Sequence, residues 1–334
     1  MLPIAFVHAP TPAKPSKKAS PEQIQQYRQQ ARQLRLPKLA AEQIAALRQA
    51  LDADLQGKSR PLQLFVDGGY TNETVLKNLP ANTTLVGRIR KDAKLFFLPE
   101  HVATAHTRGR PRHYGAPAPT PEQLRTDESV PWTPLEIFIS GALHSVRVKC
   151  AKPILWRTAG LSHILQLVVI APLGYRLRKN SKKLYRQPAF LICTDVDLDV
   201  RSLVQHYVQR WDIEVNFREE KTLLGVGEAQ VRDPHSVESV PALQVASYSM
   251  LLLASLRTQK GAAKSDLLPP PRWSARAEPP RFSTQRALNQ LRADVWGRGL
   301  GLLNFSDFAT RSTLIEKPEK FIPDLSSAIL YATK

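Results

Sequence analysis

The chain has 334 residues, 43% of them apolar, enough for a large core and more than one lobe. Its 47 Lys and Arg against 29 Asp and Glu leave a formal charge of +18, an imbalance that points to a polyanion, nucleic acid first and an anionic membrane second. Two cysteines, Cys150 and Cys193, exclude a disulfide framework or a cysteine zinc site and suit a reducing cytoplasm.

The opening Met-Leu-Pro-Ile-Ala-Phe-Val-His is too short, and lacks the cationic start, for a signal peptide. Leu2 to Val7 reads as a strand, followed by a Pro/Lys-rich loop. Residues 21–35, capped by Ser20, and residues 39–55 read as helices, the second burying Leu39, Ile44, Leu47 and Leu51. Pro61 to Val66 is a β-run ending in Asp67-Gly68-Gly69-Tyr70. A carboxylate at a strand end, followed by glycines that let the backbone approach closely, is a common active-site placement; the plain alternative is an Asp-Gly turn. A helix over 70–79 and a strand over 84–90 follow.

From 94 to 195 the texture is β-rich. Basic, Pro-rich loops at 107–121 separate β-runs at 136–149, 162–171 and 188–194. Residues 172–188 carry Arg176, Arg178, Lys179, Lys182, Lys183 and Arg186 without an acid, which suits equally a hairpin tip reaching for a DNA backbone and a plain solvated loop. Trp132 and Trp156 suit either core packing or stacking on a base. Residues 235–257 form an apolar helix expected in the core, through Val240, Leu243, Ala246, Met250, Leu251, Leu253 and Ala254. No run approaches the ~18 apolar residues of a membrane span, so a soluble, intracellular protein is expected. Residues 258–285 read as a linker, and a helix near 284–297 precedes a loose tail.

Residues 201–224 organise the rest. They contain no Gly or Pro, Asp199 or Ser202 can cap them, and Gly225 stops them. On one continuous helix, Tyr207, Arg210, Glu214 and Lys221 fall within a stripe about 60° wide. Ile213, Phe217 and Leu224 form an apolar stripe beside it. Gln205, Gln209, Asp212, Asn216, Glu219 and Glu220 point the other way, toward water.

The spacing Tyr207-x2-Arg210-x3-Glu214-x6-Lys221, flanked by Trp211, Ile213, Phe217 and Leu224-Gly225, resembles the Y-R-E-K signature of bacterial insertion-sequence transposases of the IS-four type, which are DDE enzymes. The resemblance runs from about residue 60 to 256. It implies a ribonuclease H-like α/β fold, incomplete at its N-terminus, with residues 1–93 and 196–257 as the catalytic parts. Residues 94–195 would be a β-rich insertion and 258–334 a linker and C-terminal segment. Asp67 and Glu214 match the second Asp and final Glu of the family's triad, and so would be catalytic and metal-binding. Phosphodiester cleavage needs an activated attacking oxygen and a stabilised leaving oxygen, which two Mg²⁺ (or Mn²⁺) ions about 3.5–4 Å apart supply. Arg210 and Lys221 would hold phosphates, Tyr207 would donate to one or stack near the transposon end, and Trp211 would pack.

The expected partners are double-stranded DNA (terminal inverted repeats and target) and a second copy of the chain in a homodimer, with no membrane, in a bacterial cytoplasm at the nucleoid. The first catalytic Asp has no match. Glu22, Glu42, Asp52 and Asp54 precede Asp67, and none sits at a strand end. The chain therefore reads as N-terminally truncated, and a DNA-binding remnant without cleavage is the competing expectation.

Overall fold

The structure, a computed structural model, describes residues 2–99, 112–139, 142–159, 163–176, 181–259 and 283–299. The expected linker, the tail, the tip cations Arg178 and Lys179, and part of the 107–121 loop lie outside them. The chain divides into two compact units, residues 9–211 and residues 1–8 with 212–334.

The larger unit begins with α1 (Pro21–Gln33) and α2 (Leu36–Ala53). Ser20 starts α1 in a capping box, exchanging hydrogen bonds with Gln23. In α2 the expected apolar side is half-buried, and the deeply buried residue is instead a cation. Arg48 donates to the carbonyls of Arg60 (2.7 Å) and Gly57 (3.0 Å) and pairs with Asp52. It thereby staples the loop that leads into the sheet.

The sheet is mixed. Strand β1 (Leu62–Val66), helix α3 (Glu73–Lys77) and strand β2 (Thr83–Arg88) form a parallel crossover, in register from Leu62↔Thr83 to Val66↔Gly87. Next come β3 (Leu95–Phe96), β4 (Pro117–Ala118), α4 (Pro121–Thr126), β5 (Thr133–Ile139), β6 (Ala142–Trp156), a 3₁₀ turn at Arg157–Ala159 and β7 (Leu165–Ile170). The small hairpin β8 (Gly174–Tyr175) and β9 (Leu184–Tyr185) matches the basic hairpin expected here, and Lys182, Lys183 and Arg186 are exposed on it. Strand β10 (Ala189–Cys193) then pairs antiparallel with both β2 and β7. The order is β1-β2-β10-β7-β6-β3-β4, with β5 beside β6.

Alternation along the strands feeds two cores. Leu85, Leu167, Val169 and Ile192 face α3 and α4, while Val86, Val168, Leu191 and Cys193 face α5 (Val200–Gln209). Burial pushes the Cys193 thiol up to about 12, which removes it from thiolate chemistry. Asp199 caps α5 by accepting from the Ser202 N–H at 2.9 Å. Leu203, Val204 and Tyr207 of α5 lie on the sheet. Its Gln205 side chain both accepts from the Phe138 N–H (2.9 Å) and donates to the Phe138 carbonyl (3.0 Å) on β5, and Arg201 donates to the Glu136 carbonyl.

The expected helix 201–224 is two helices. After Gln209 the N–H groups of Arg210 and Trp211 reach back three residues, to the carbonyls of Tyr207 and Val208, rather than four. This tightened turn ends α5, and α6 (Asp212–Leu224) starts in the other unit. The single stripe expected for Tyr207, Arg210, Glu214 and Lys221 therefore does not run through one helix. Trp211 does not pack as expected; it is 58% exposed.

The smaller unit corrects three further expectations. Leu2 to Val7 is not a strand: residues 2–8 pair with no strand, and Pro3 accepts from the Ser249 hydroxyl. Second, α6 turns polar residues inward, with Ile213 and Leu224 of the expected apolar stripe only half-buried. Asn216 and Glu220, assigned to its wet side, are buried, whereas Phe217, assigned to its apolar stripe, is 52% exposed. Third, α7 (Pro234–Gln259) buries Val245 and Tyr248 and exposes Leu243, Met250 and Leu253. By length and composition alone α7 is long and apolar enough to cross a membrane, which the residue count above did not anticipate. Helix α8 (Thr284–Gly299) completes the described part. Gly225, at φ +69°, ends α6 in the left-handed region that only glycine enters without strain.

Candidate active site

Asp67 stands where β1 ends, and a tight turn holds it there. Its carbonyl accepts from the Tyr70 N–H (2.9 Å) and the Thr71 hydroxyl (3.3 Å). Behind the turn, a Cβ on Gly87 would come within 2.1 Å of the Thr71 hydroxyl, so glycine alone lets β2 lie this close. Gly68 and Gly69 differ. A Cβ on Gly68 meets nothing nearer than 3.7 Å, and one on Gly69 nothing within 4 Å. The fold itself does not require glycine at either place, and their bare backbone keeps the surface beside Asp67 open.

That surface lines a cleft of about 600 Å³, together with Thr71, Arg88, Asp92 and Trp156. Parallel pairing brings the ends of β1 and β2 to one edge, so Arg88 follows its strand to the cleft that Asp67 reaches from its own. Asp92 is committed to the Arg90 fork, both contacts at 2.9 Å, and its pKa is lowered first by that bond. Trp156 is half-buried at the cleft wall; Trp132 packs on the core under Lys149, 4.7 Å from its ring centroid.

Tyr207 approaches the same place from α5. It is only 9% exposed. Burial raises its hydroxyl pKa, the charges of Arg210 and Arg88 act against that, and Asp67 adds to it. Asp67, Arg88, Tyr207 and Arg210 thus share one electrostatic neighbourhood, with the Arg210 guanidinium 5.8 Å from the Tyr207 ring centroid. An exposed carboxylate with an arginine on the same cleft, and a second arginine and a phenol within electrostatic reach, offers both an oxygen donor and phosphate-binding cations. Asp67, Tyr207 and Arg210 all belong to the larger unit, with Arg210 against the Tyr207 ring and the Asp67 charge reaching the Tyr207 hydroxyl. Glu214 and Lys221 belong to the other unit, where both are exposed on one face of α6. Among the described residues, no three of His, Cys, Asp or Glu gather as a metal cage.

Residues 39–250, more than half of the chain, match the family described as Transposase DDE domain. The chain belongs to the DDE transposase domain family. This transposase domain is a mixed α/β protein that acts on DNA in transposition, in keeping with its charge of +18. No curated protein matches it. Domains of this family generally use divalent metal ions. Arg88 was not singled out in the sequence, because only the parallel pairing of β1 with β2 brings it to the cleft of Asp67. Nor were Tyr248 and Thr284, which hold α6; nothing in their local sequence marks them.

Proposed function

We propose that this transposase domain is of the IS-four type, with a ribonuclease H-like catalytic fold in residues 1–93 and 196–257 and a β-rich insertion over 94–195 whose strands continue the sheet. The C-terminal segment, 258–334, follows it. Its reaction is cleavage of double-stranded DNA at terminal repeats and transfer of the freed strand to target DNA, on paired ends held by two copies of the chain.

Asp67 and Glu214 are the catalytic carboxylates. Both are exposed, hard oxygen donors and fit Mg²⁺ or Mn²⁺; bound ions, two in the family's scheme, would activate the attacking oxygen and stabilise the leaving one. Arg210 and Lys221 grip phosphates, the first as a fork and the second as a point charge. Tyr207 acts through its hydroxyl, which is buried with its ring on the sheet and has no hydrogen-bond acceptor among the described residues, leaving it free to donate to a phosphate that reaches it. The observation that carries this reading is that Asp67 and Arg88, at the ends of the parallel strands β1 and β2, line one open cleft, and that their charges, with that of Arg210, reach the Tyr207 hydroxyl. The bare Gly68-Gly69 backbone beside them supports it.

A second reading is a DNA-binding chain that does not cleave. Of the acids ahead of Asp67, Glu42 pairs with Lys38, Asp52 with Arg48, and Asp54 accepts from the Gly57 N–H, while Glu22 is exposed in the first turn of α1. Both readings give DNA affinity that falls steeply with salt. The deciding experiment is nicking of end-bearing duplex DNA with Mg²⁺ or Mn²⁺, wild type against Glu214→Gln. Metal-dependent nicks lost in Glu214→Gln, with binding retained, establish the enzyme; binding without nicks in either leaves the DNA binder. Nicks that persist in Glu214→Gln remove Glu214 from the site.

A further inference from the structure

Helix α6 carries Glu214 and Lys221 about 20° apart around its axis, at about 100° per residue. Nearly opposite lie Asn216, Glu219, Glu220 and Leu223, the face that meets α7 and α8. The attachment there is polar. One Glu219 oxygen, Oε2, accepts from the Tyr248 hydroxyl of α7 at 2.7 Å and from the Thr284 hydroxyl of α8 at 2.6 Å. The Tyr248 hydroxyl also lies 3.4 Å from Asn216 Oδ1. One turn away, Gln244 of α7 donates to the carbonyls of Leu224 and Gly225, closing the C-terminal end of α6.

These bonds are not by-products of helix capping. Ser283 caps α8, its hydroxyl accepting from the Arg286 N–H, which leaves the Thr284 hydroxyl for Glu219. Thr284 lies beyond residue 250, where the family match ends. Two donors from two helices on one oxygen fix both the roll of α6 and its slide along its axis. A roll of about 20° at a side-chain radius of about 5–6 Å would swing the Glu214 carboxylate about 2 Å, and a misplacement of about 1 Å can cost about 10²-fold in rate.

We propose that Tyr248 and Thr284 are positioning residues, which through Glu219 lock α6 at the roll that presents Glu214 and Lys221. The C-terminal segment is then part of the machinery that aims the catalytic helix. This rests on the role assigned to Glu214 above.

The test uses the full chain with Thr284→Val, Thr284→Ser and Tyr248→Phe, read by amide hydrogen exchange and by Mn²⁺-dependent cleavage of end DNA. Thr284→Val is expected to raise exchange across 212–224 about 10-fold and to lower kcat about 10-fold, with KM for DNA within about 2-fold. Thr284→Ser restores both, and Tyr248→Phe behaves like Thr284→Val. Wild-type exchange over α6 in Thr284→Val overturns the proposal. So does exchange raised evenly over α6, α7 and α8, which is a merely structural loss. If the wild type does not cleave, or Glu214→Gln cleaves normally, the functional reading fails on its own, and the exchange pattern still decides whether the lock exists.

Discussion

Helices α5 and α6 follow one another across a single turn and are built by opposite rules. Helix α5 is a conventional amphipath, with Leu203, Val204 and Tyr207 pressed on the sheet. Helix α6 buries Asn216 and Glu220 and leaves Phe217 in solvent. The difference teaches that apolar periodicity locates the buried face only where the partner surface is apolar. A sheet of Val, Leu and Ile selects an oily stripe; a helix presenting Tyr248 and Gln244 selects hydrogen-bonding residues instead.

The contrast can be broken by substitution. The largest effect is expected from Leu203→Ala, which opens a cavity in a fully buried part of α5 and should cost about 2–5 kcal/mol, read by urea unfolding. A cost near zero would remove α5 from the core. Asp199→Ala deletes the cap of the same helix and should cost about 1 kcal/mol. Because bonds from Ser202 hold the Asp199 carboxyl below its ordinary range, the cap's contribution is present above that range and is lost as pH falls through the folded value.

On α6 the sign reverses. Burial raises the pKa of Glu220 in the folded chain, so its ionised form carries a penalty above that raised value, relieved as pH falls through it. Glu220→Gln should therefore raise Tm at pH 8, with the gain shrinking toward pH 4; a gain that grows on acidification would refute the burial. Phe217→Ser, at an exposed apolar site, should change stability by no more than about 0.5 kcal/mol. A large loss would show that Phe217 is covered after all. In DNA binding, Lys221→Ala should lower the salt slope by about one ion.

Much of the larger unit was legible in the sequence, because its signals are local. Ser20 with Gln23, Asp199 before α5, and the β-run that ends in Asp67 each carry their own cap, period or turn. The buried Arg48 was not legible, since its partners are carbonyls of a loop. The break at Arg210–Trp211 was hidden because neither residue is a helix breaker. Arg88 needed the parallel pairing of β1 with β2 before it stood beside Asp67. The hold on α6 was out of reach, since it joins Glu219 to a residue 65 positions away.

Gln205 has a consequence beyond α5. Its side-chain amide offers Phe138 the donor and the acceptor that a neighbouring strand would offer. With Arg201 on Glu136, it occupies the rim at which an unpaired strand of another chain could otherwise add. The helix that carries Tyr207 thus doubles as a guard of the sheet's open border. Loosening α5 should therefore lower solubility as well as disturb the site, and Gln205→Ala separates the two by exposing that border while leaving Tyr207 in place.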